Sequence, residues 1–156
     1  MRSLVVYDSQ FGNTKLVAET IGSALETSGR VLVMPVSDVQ PGDIFGINFL
    51  VVGSPTQGFT ATPAIKNWIK IIPRGGLEGI KAAAFDTRFT EDEINKVKIL
   101  AFLVNIFGYA AKPISDRLEK KGAEIVLPPE GFYVAETEGP LLEKELERAA
   151  EWIKGI

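Results

Sequence analysis

Three short polar runs hold the residues best suited to chemistry. The first is Asp8-Ser9-Gln10-Phe11-Gly12-Asn13-Thr14, directly ahead of a helical pattern. Hydroxyls at Ser9 and Thr14, the Asn13 amide and backbone N–H groups at a helix start make a concave anion site. No arginine is needed there, because the amides and the helix dipole supply the positive field. Gly12 permits close approach of the backbone to a ligand. The glycine spacing of a dinucleotide fingerprint and the lysine of a Walker loop are both missing. The second run is Gly53-Ser54-Pro55-Thr56-Gln57-Gly58-Phe59-Thr60 and the third is Phe85-Asp86-Thr87-Arg88-Phe89. Taken singly, each also reads as an ordinary polar turn, and Arg88 as a solvated surface charge.

Absences narrow the chemistry further. The 156 residues include no Cys and no His. Thiolate nucleophiles, iron–sulfur clusters, Cys-based zinc sites, imidazole bases and Ser–His–Asp triads are therefore excluded. A carboxylate-only metal site stays open, although no metal site is expected. Redox chemistry here requires an organic cofactor. A formal charge of −3, with no basic stripe, argues against nucleic-acid binding. Hydrophobic content of 46% is too high for a disordered chain. Met1 to Tyr7 enters a strand-like run without a signal-peptide pattern, and the longest apolar run is too short for a membrane span. A cytoplasmic protein is expected.

The elements that must position the three runs alternate along the chain. Leu4–Tyr7, Arg30–Val36, Asn48–Gly53, Lys81–Phe85 and Ala123–Leu127 read as strands, the last resumed by Phe132-Tyr133-Val134 after Pro128-Pro129. Asn13–Ser28 reads as a helix with Val17, Ile21, Ala24 and Leu25 on one face and Gly29 as its stop. Thr62-Pro63 opens a helix through Ile72, with Thr as cap and Pro in the first helical position. Thr90-Glu91-Asp92-Glu93 reads as a capping box. The helical region after it breaks near Gly108 and ends at Gly122, with Pro113 fitting either a first turn or a kink. Gly139-Pro140 is expected to open the last helix, through Leu142, Leu146, Ala149 and Ile153. Strands apolar throughout are buried on both faces, which requires helices on both sides of a parallel sheet. The expectation is an α/β chain, one domain over residues 1–156, with a three-layer, doubly wound, five-stranded parallel sheet.

In such a sheet ligands sit outside the carboxyl ends of the strands, where all three polar runs fall. Together the runs resemble the flavodoxin-like family over essentially the whole chain. The Ser9–Thr14 run is similar to the family's phosphate loop. It lies nearest the variant of flavodiiron proteins and flavodoxin-like quinone reductases, with Phe11 where flavodoxins often have a third Thr. The resemblance implies strand order 2-1-3-4-5 and FMN as cofactor. It implies that Thr56 reaches the phosphate or ribityl chain and that the Gln57-Gly58 peptide faces the flavin N5 edge. It also makes Phe59 a ring neighbour and puts Asp86, Thr87, Arg88 and Phe89 on the pyrimidine side. Arg88 near that edge would stabilise anionic reduced flavin and raise the potential.

The implied cofactor-binding set is Ser9, Gln10, Phe11, Gly12, Asn13, Thr14, Pro55, Thr56, Gln57, Gly58, Phe59, Asp86, Thr87, Arg88 and Phe89, with no separate catalytic residue. The resemblance implies an FMN-dependent electron carrier working with redox partner proteins. An NAD(P)H-dependent quinone reductase is the alternative, and a flavodoxin-shaped interaction module without FMN is a third reading. A phosphorylation receiver domain needs an Asp after the third strand, where Gly53-Ser54 stands. The Ile99–Phe107 segment is apolar nearly all round, unlike a helix that covers a sheet with one stripe. It is expected beside the flavin edge, as a homodimer contact or a docking face.

Overall fold

A computed structural model describes residues 1–90, 94 and 96–156, apart from the side chains of Ile106 and Phe107. The expected Thr90–Glu93 capping box rests on Glu91–Glu93 and lies outside the described residues. The strands are β1 (Arg2–Tyr7), β2 (Arg30–Pro35), β3 (Phe49–Pro55), β4 (Lys81–Phe89), β5 (Glu124–Ile125) and β6 (Glu130–Val134). The helices are α1 (Asn13–Leu25), α2 (Pro63–Ile71), α3 (Lys98–Phe107), α4 (Ala111–Lys120) and α5 (Glu145–Ile153). The sheet runs β2-β1-β3-β4-β5, all parallel, which is the expected order.

Alternation along the strands sorts the core into two layers. Leu4, Val6, Leu50, Val52, Ala82 and Ala84 face Ile65 and Ile69 of α2 and Ile114 and Leu118 of α4. Val5, Val51, Ala83 and Phe85 face Val17 and Ile21 of α1 and Ala149 and Ile153 of α5. Burial on both faces is why these strands read as unbroken apolar runs.

The fifth sheet position is shared by two segments. β5 pairs with the start of β4 (Lys81↔Glu124), and β6 pairs with its end (Phe85↔Glu130 to Phe89↔Val134). Between them Pro128-Pro129 offers no N–H to a ladder, so the strand breaks and restarts there. With β3 on one side and β6 on the other, β4 runs on to Phe89 instead of ending at Phe85. That extension carries four of the expected site residues, Asp86, Thr87, Arg88 and Phe89, on a strand.

Thr62 caps α2 as expected, its hydroxyl accepting from the Ile65 N–H at 3.5 Å. Gly108 separates α3 from α4, and Pro113 falls in the first turn of α4. The last helix departs from expectation. Leu141 bridges Val134, and the Leu142 N–H donates to the Tyr133 carbonyl at 2.9 Å, so this stretch lies extended along β6. α5 starts only at Glu145, whose buried carboxylate accepts the Tyr133 N–H at 2.7 Å.

Candidate functional site

At the carboxyl edge of the sheet the loops after β1, β3 and β4 surround one cavity of about 270 Å³. The loop after β1 is shaped by Ser9, whose hydroxyl accepts the Gly12 N–H at 3.1 Å and the Lys15 N–H at 3.3 Å. Gly12, at φ +95°, caps α1 in the left-handed region. A Cβ added there would meet no protein atom within 4 Å, so that side of the loop is open. Among the described residues the N–H groups of Asn13 and Thr14 find no acceptor, and the first turn of α1 carries no acidic side chain. The side chains of these two residues do other work. The Asn13 amide donates to the Glu138 carbonyl at 3.1 Å, strapping the loop to the segment after β6. Thr14 is buried, and its hydroxyl lies 2.9 Å from that of Thr87, so one proton of the pair remains available to a ligand.

The loop after β3 is a tight turn. Gln57 and Thr60 exchange backbone bonds of 2.9 and 3.1 Å across Gly58 and Phe59, both at positive φ (54° and 68°). This is the two-residue hairpin geometry in which both central residues are left-handed, and Phe59 adopts it without being glycine. The Gln57 side chain donates to Gln10 at 2.8 Å and joins the first two loops. Thr56 accepts the Ala110 N–H at 3.1 Å, which binds its loop to the start of α4.

The end of β4 holds an ion pair. Arg88 donates from Nε and Nη2 to the two oxygens of Asp86, both at 2.7 Å, and Asp86 also accepts the Ala111 N–H at 2.8 Å. Asp86 is wholly buried. Burial is the largest influence and holds its carboxyl above the ordinary range, although Arg88 and the Ala111 N–H pull it down. Burial also opposes the Arg88 charge, but the Asp86 hydrogen bond and charge outweigh it and raise Arg88 further. Three N–H donors thus converge on the two Asp86 oxygens. Arg88 stacks on the Tyr109 ring at 3.8 Å from its centroid and is only 18% exposed, so it is no solvated surface charge.

Of the fifteen expected site residues, thirteen line the cavity. The other two are Gly12, which caps α1 in the first loop, and Asp86, which is wholly buried and bonded to the lining residue Arg88. Six further residues line it: Ile94, Tyr109, Val134 and Thr137, which escaped the sequence reading, and Leu100 and Val104 of the apolar Ile99–Phe107 segment. Leu100 and Val104 place α3 beside the cavity, where the apolar segment was expected. Among the described residues no acidic side chain lines it, and the one lining cation, Arg88, is paired with Asp86.

The flavodoxin family model matches residues 5–152. The chain belongs to the flavodoxin family. A flavodoxin from Aquifex aeolicus (strain VF5) is 27% identical over 163 residues, covering 96% of this chain and 85% of that one. Among solved structures, a flavodoxin from the domain Archaea superposes with TM-score 0.74 at 21% identity, covering 98% of this chain and 94% of that one. Oxidised Flavodoxin 1 from Bacillus cereus superposes with TM-score 0.76 at 17% identity, covering 99% and 96%. At such identities the two structures establish the fold alone. Among the described residues, no helix is long and apolar enough to cross a membrane.

Proposed function

We propose that this flavodoxin carries electrons through FMN held in the cavity, as a single domain over residues 1–156 in the cytoplasm. The observation that carries the reading is the first loop, where backbone N–H groups without acceptors stand at the start of a helix beside an aromatic-walled cavity. That donor set suits a phosphate dianion. The residues present fit the cofactor. Ser9, Gly12, Asn13 and Thr14 would hold the phosphate end, with Gln10 and Thr56 flanking. Phe11, Phe59, Phe89 and Tyr109 would offer apolar walls to its ring, and Pro55, Gln57, Gly58, Thr87 and Arg88 would supply the remaining lining of the cavity. FMN supplies the redox chemistry, and the protein orients it and sets the field around it.

The exit face is α3. Ile99 and Phe102 stand 68% and 61% exposed on a helix whose Leu100 and Val104 line the cavity, and Val97 just ahead of it is 48% exposed. An apolar face continuous with the cofactor cavity suits a redox partner protein or a second copy of the chain. A visible spectrum of the purified protein with FMN, followed by NAD(P)H and a quinone, tests the carrier reading. A flavin spectrum without steady NAD(P)H consumption is expected. Rapid turnover would instead make the chain a quinone reductase, and no flavin uptake would make it an interaction module.

A further inference from the structure

The Asp86–Arg88 pair is a fitted assembly at the cavity wall. Asp86 and Arg88 stand two residues apart on one face of β4, and three N–H donors converge on the carboxylate. The Tyr109 ring covers the guanidinium at 3.8 Å. Across from it, β6 presents Gly131, where a Cβ would stand 2.0 Å from Nε and 2.1 Å from Cζ of Arg88. The guanidinium is thus clamped in one pose while it still lines the cavity. A lone guanidinium there would favour every electron added to a bound ring. Asp86, bonded to it at 2.7 Å, opposes that field.

Building on the reading that the cavity holds FMN, we propose that Asp86 is a positioning residue that sets the cofactor potential by masking the charge of Arg88. Arg88 then serves the ring as a fixed N–H donor in a neutral wall. The wall does not reward reduction, so the potential stays low although an arginine borders the site. This reverses the expectation drawn from Arg88 alone.

The test is a potentiometric titration of the FMN-loaded protein as wild type, as Asp86→Asn and as the double variant Asp86→Asn, Arg88→Gln. Asp86→Asn exposes the charge and should raise the preference for reduced over oxidised FMN at least tenfold, about 59 mV upward for a one-electron couple. The double variant replaces the pair with neutral groups of similar shape, which a buried ion pair tolerates well. Its potential should return to within twofold of the wild-type affinity ratio. An unmoved potential in Asp86→Asn overturns the proposal, and so does a tenfold drop in the double variant, which would mean that Arg88 acts unmasked. Should Asp86→Asn fail to fold, the double variant decides by the same criterion. A wild-type chain that takes up no FMN overturns the cofactor reading itself. FMN uptake with the wrong pattern of potentials overturns only the masking.

Discussion

Gly131→Ala should be one of the most damaging single-methyl changes in the chain. The added Cβ would stand 2.0, 2.1 and 2.5 Å from Nε, Cζ and Nη2 of Arg88, well inside van der Waals contact. A free arginine end would swing aside at little cost. This one is held by two 2.7 Å bonds to Asp86 and by the Tyr109 ring, so moving it breaks the pair. Asp86 is then left as a buried carboxylate with one N–H donor, a loss of about 3–5 kcal/mol. At roughly 2–4 °C per kcal/mol for a domain of this size, the melting temperature falls by about 6–20 °C. Urea unfolding of the apoprotein followed by circular dichroism measures this without reference to any ligand. In the Asp86→Asn, Arg88→Gln background, where the shorter side chain leaves room, the same substitution should cost no more than about 1 kcal/mol. A Gly131→Ala loss below about 1 kcal/mol in the wild-type background would refute the clamp.

Three further outcomes follow from the site. Gly12→Val forces a β-branched residue to φ +95°, so the apoprotein should lose about 1–2 kcal/mol in urea unfolding. FMN affinity in a fluorescence titration should fall by more than that, and wild-type affinity would reduce the loop to a plain turn. Thr14→Ala leaves the buried Thr87 hydroxyl without its 2.9 Å partner and should cost about 1–2 kcal/mol of stability, with a smaller loss of FMN affinity than Gly12→Val. Ile99→Glu with Phe102→Glu changes exposed positions, so stability should stay within about 0.5 kcal/mol while electron transfer to a partner slows. Sedimentation of wild type and variant then tells a partner face from a self-paired one, since only the latter gives a wild-type dimer that the variant dissolves.

Most of the frame was legible because local signals agreed with the global fold. Thr62-Pro63, Gly29 and Gly108 punctuate the chain where their backbone preferences say they should, and the runs apolar on both faces required a two-sided sheet. The start of α5 was misread because Leu142 continues the helical spacing backward from Leu146. Its backbone is claimed instead by Tyr133 of β6, a tertiary contact without local signature. At the site, ending the fourth strand at Phe85 left Asp86 and Arg88 in a loop with no fixed relation. On a strand that continues to Phe89, residues two apart share a face, and the i, i+2 acid–base spacing then reads as a pair. Tyr109 carried a weaker signal, an aromatic directly after the Gly108 break at the same sheet edge. The Thr14–Thr87 contact spans 73 positions and follows only from the assembled β1-β3-β4 edge.

The central claim, that the first loop is built to hold the phosphate of FMN, is tested most directly by titrating the apoprotein with FMN and with riboflavin. The two ligands share the ring and differ in the phosphate alone. If two N–H groups of that loop bind the dianion at about 1.5–3 kcal/mol per charge-assisted bond, riboflavin should bind at least about a hundredfold more weakly than FMN. Equal affinities would contradict the account.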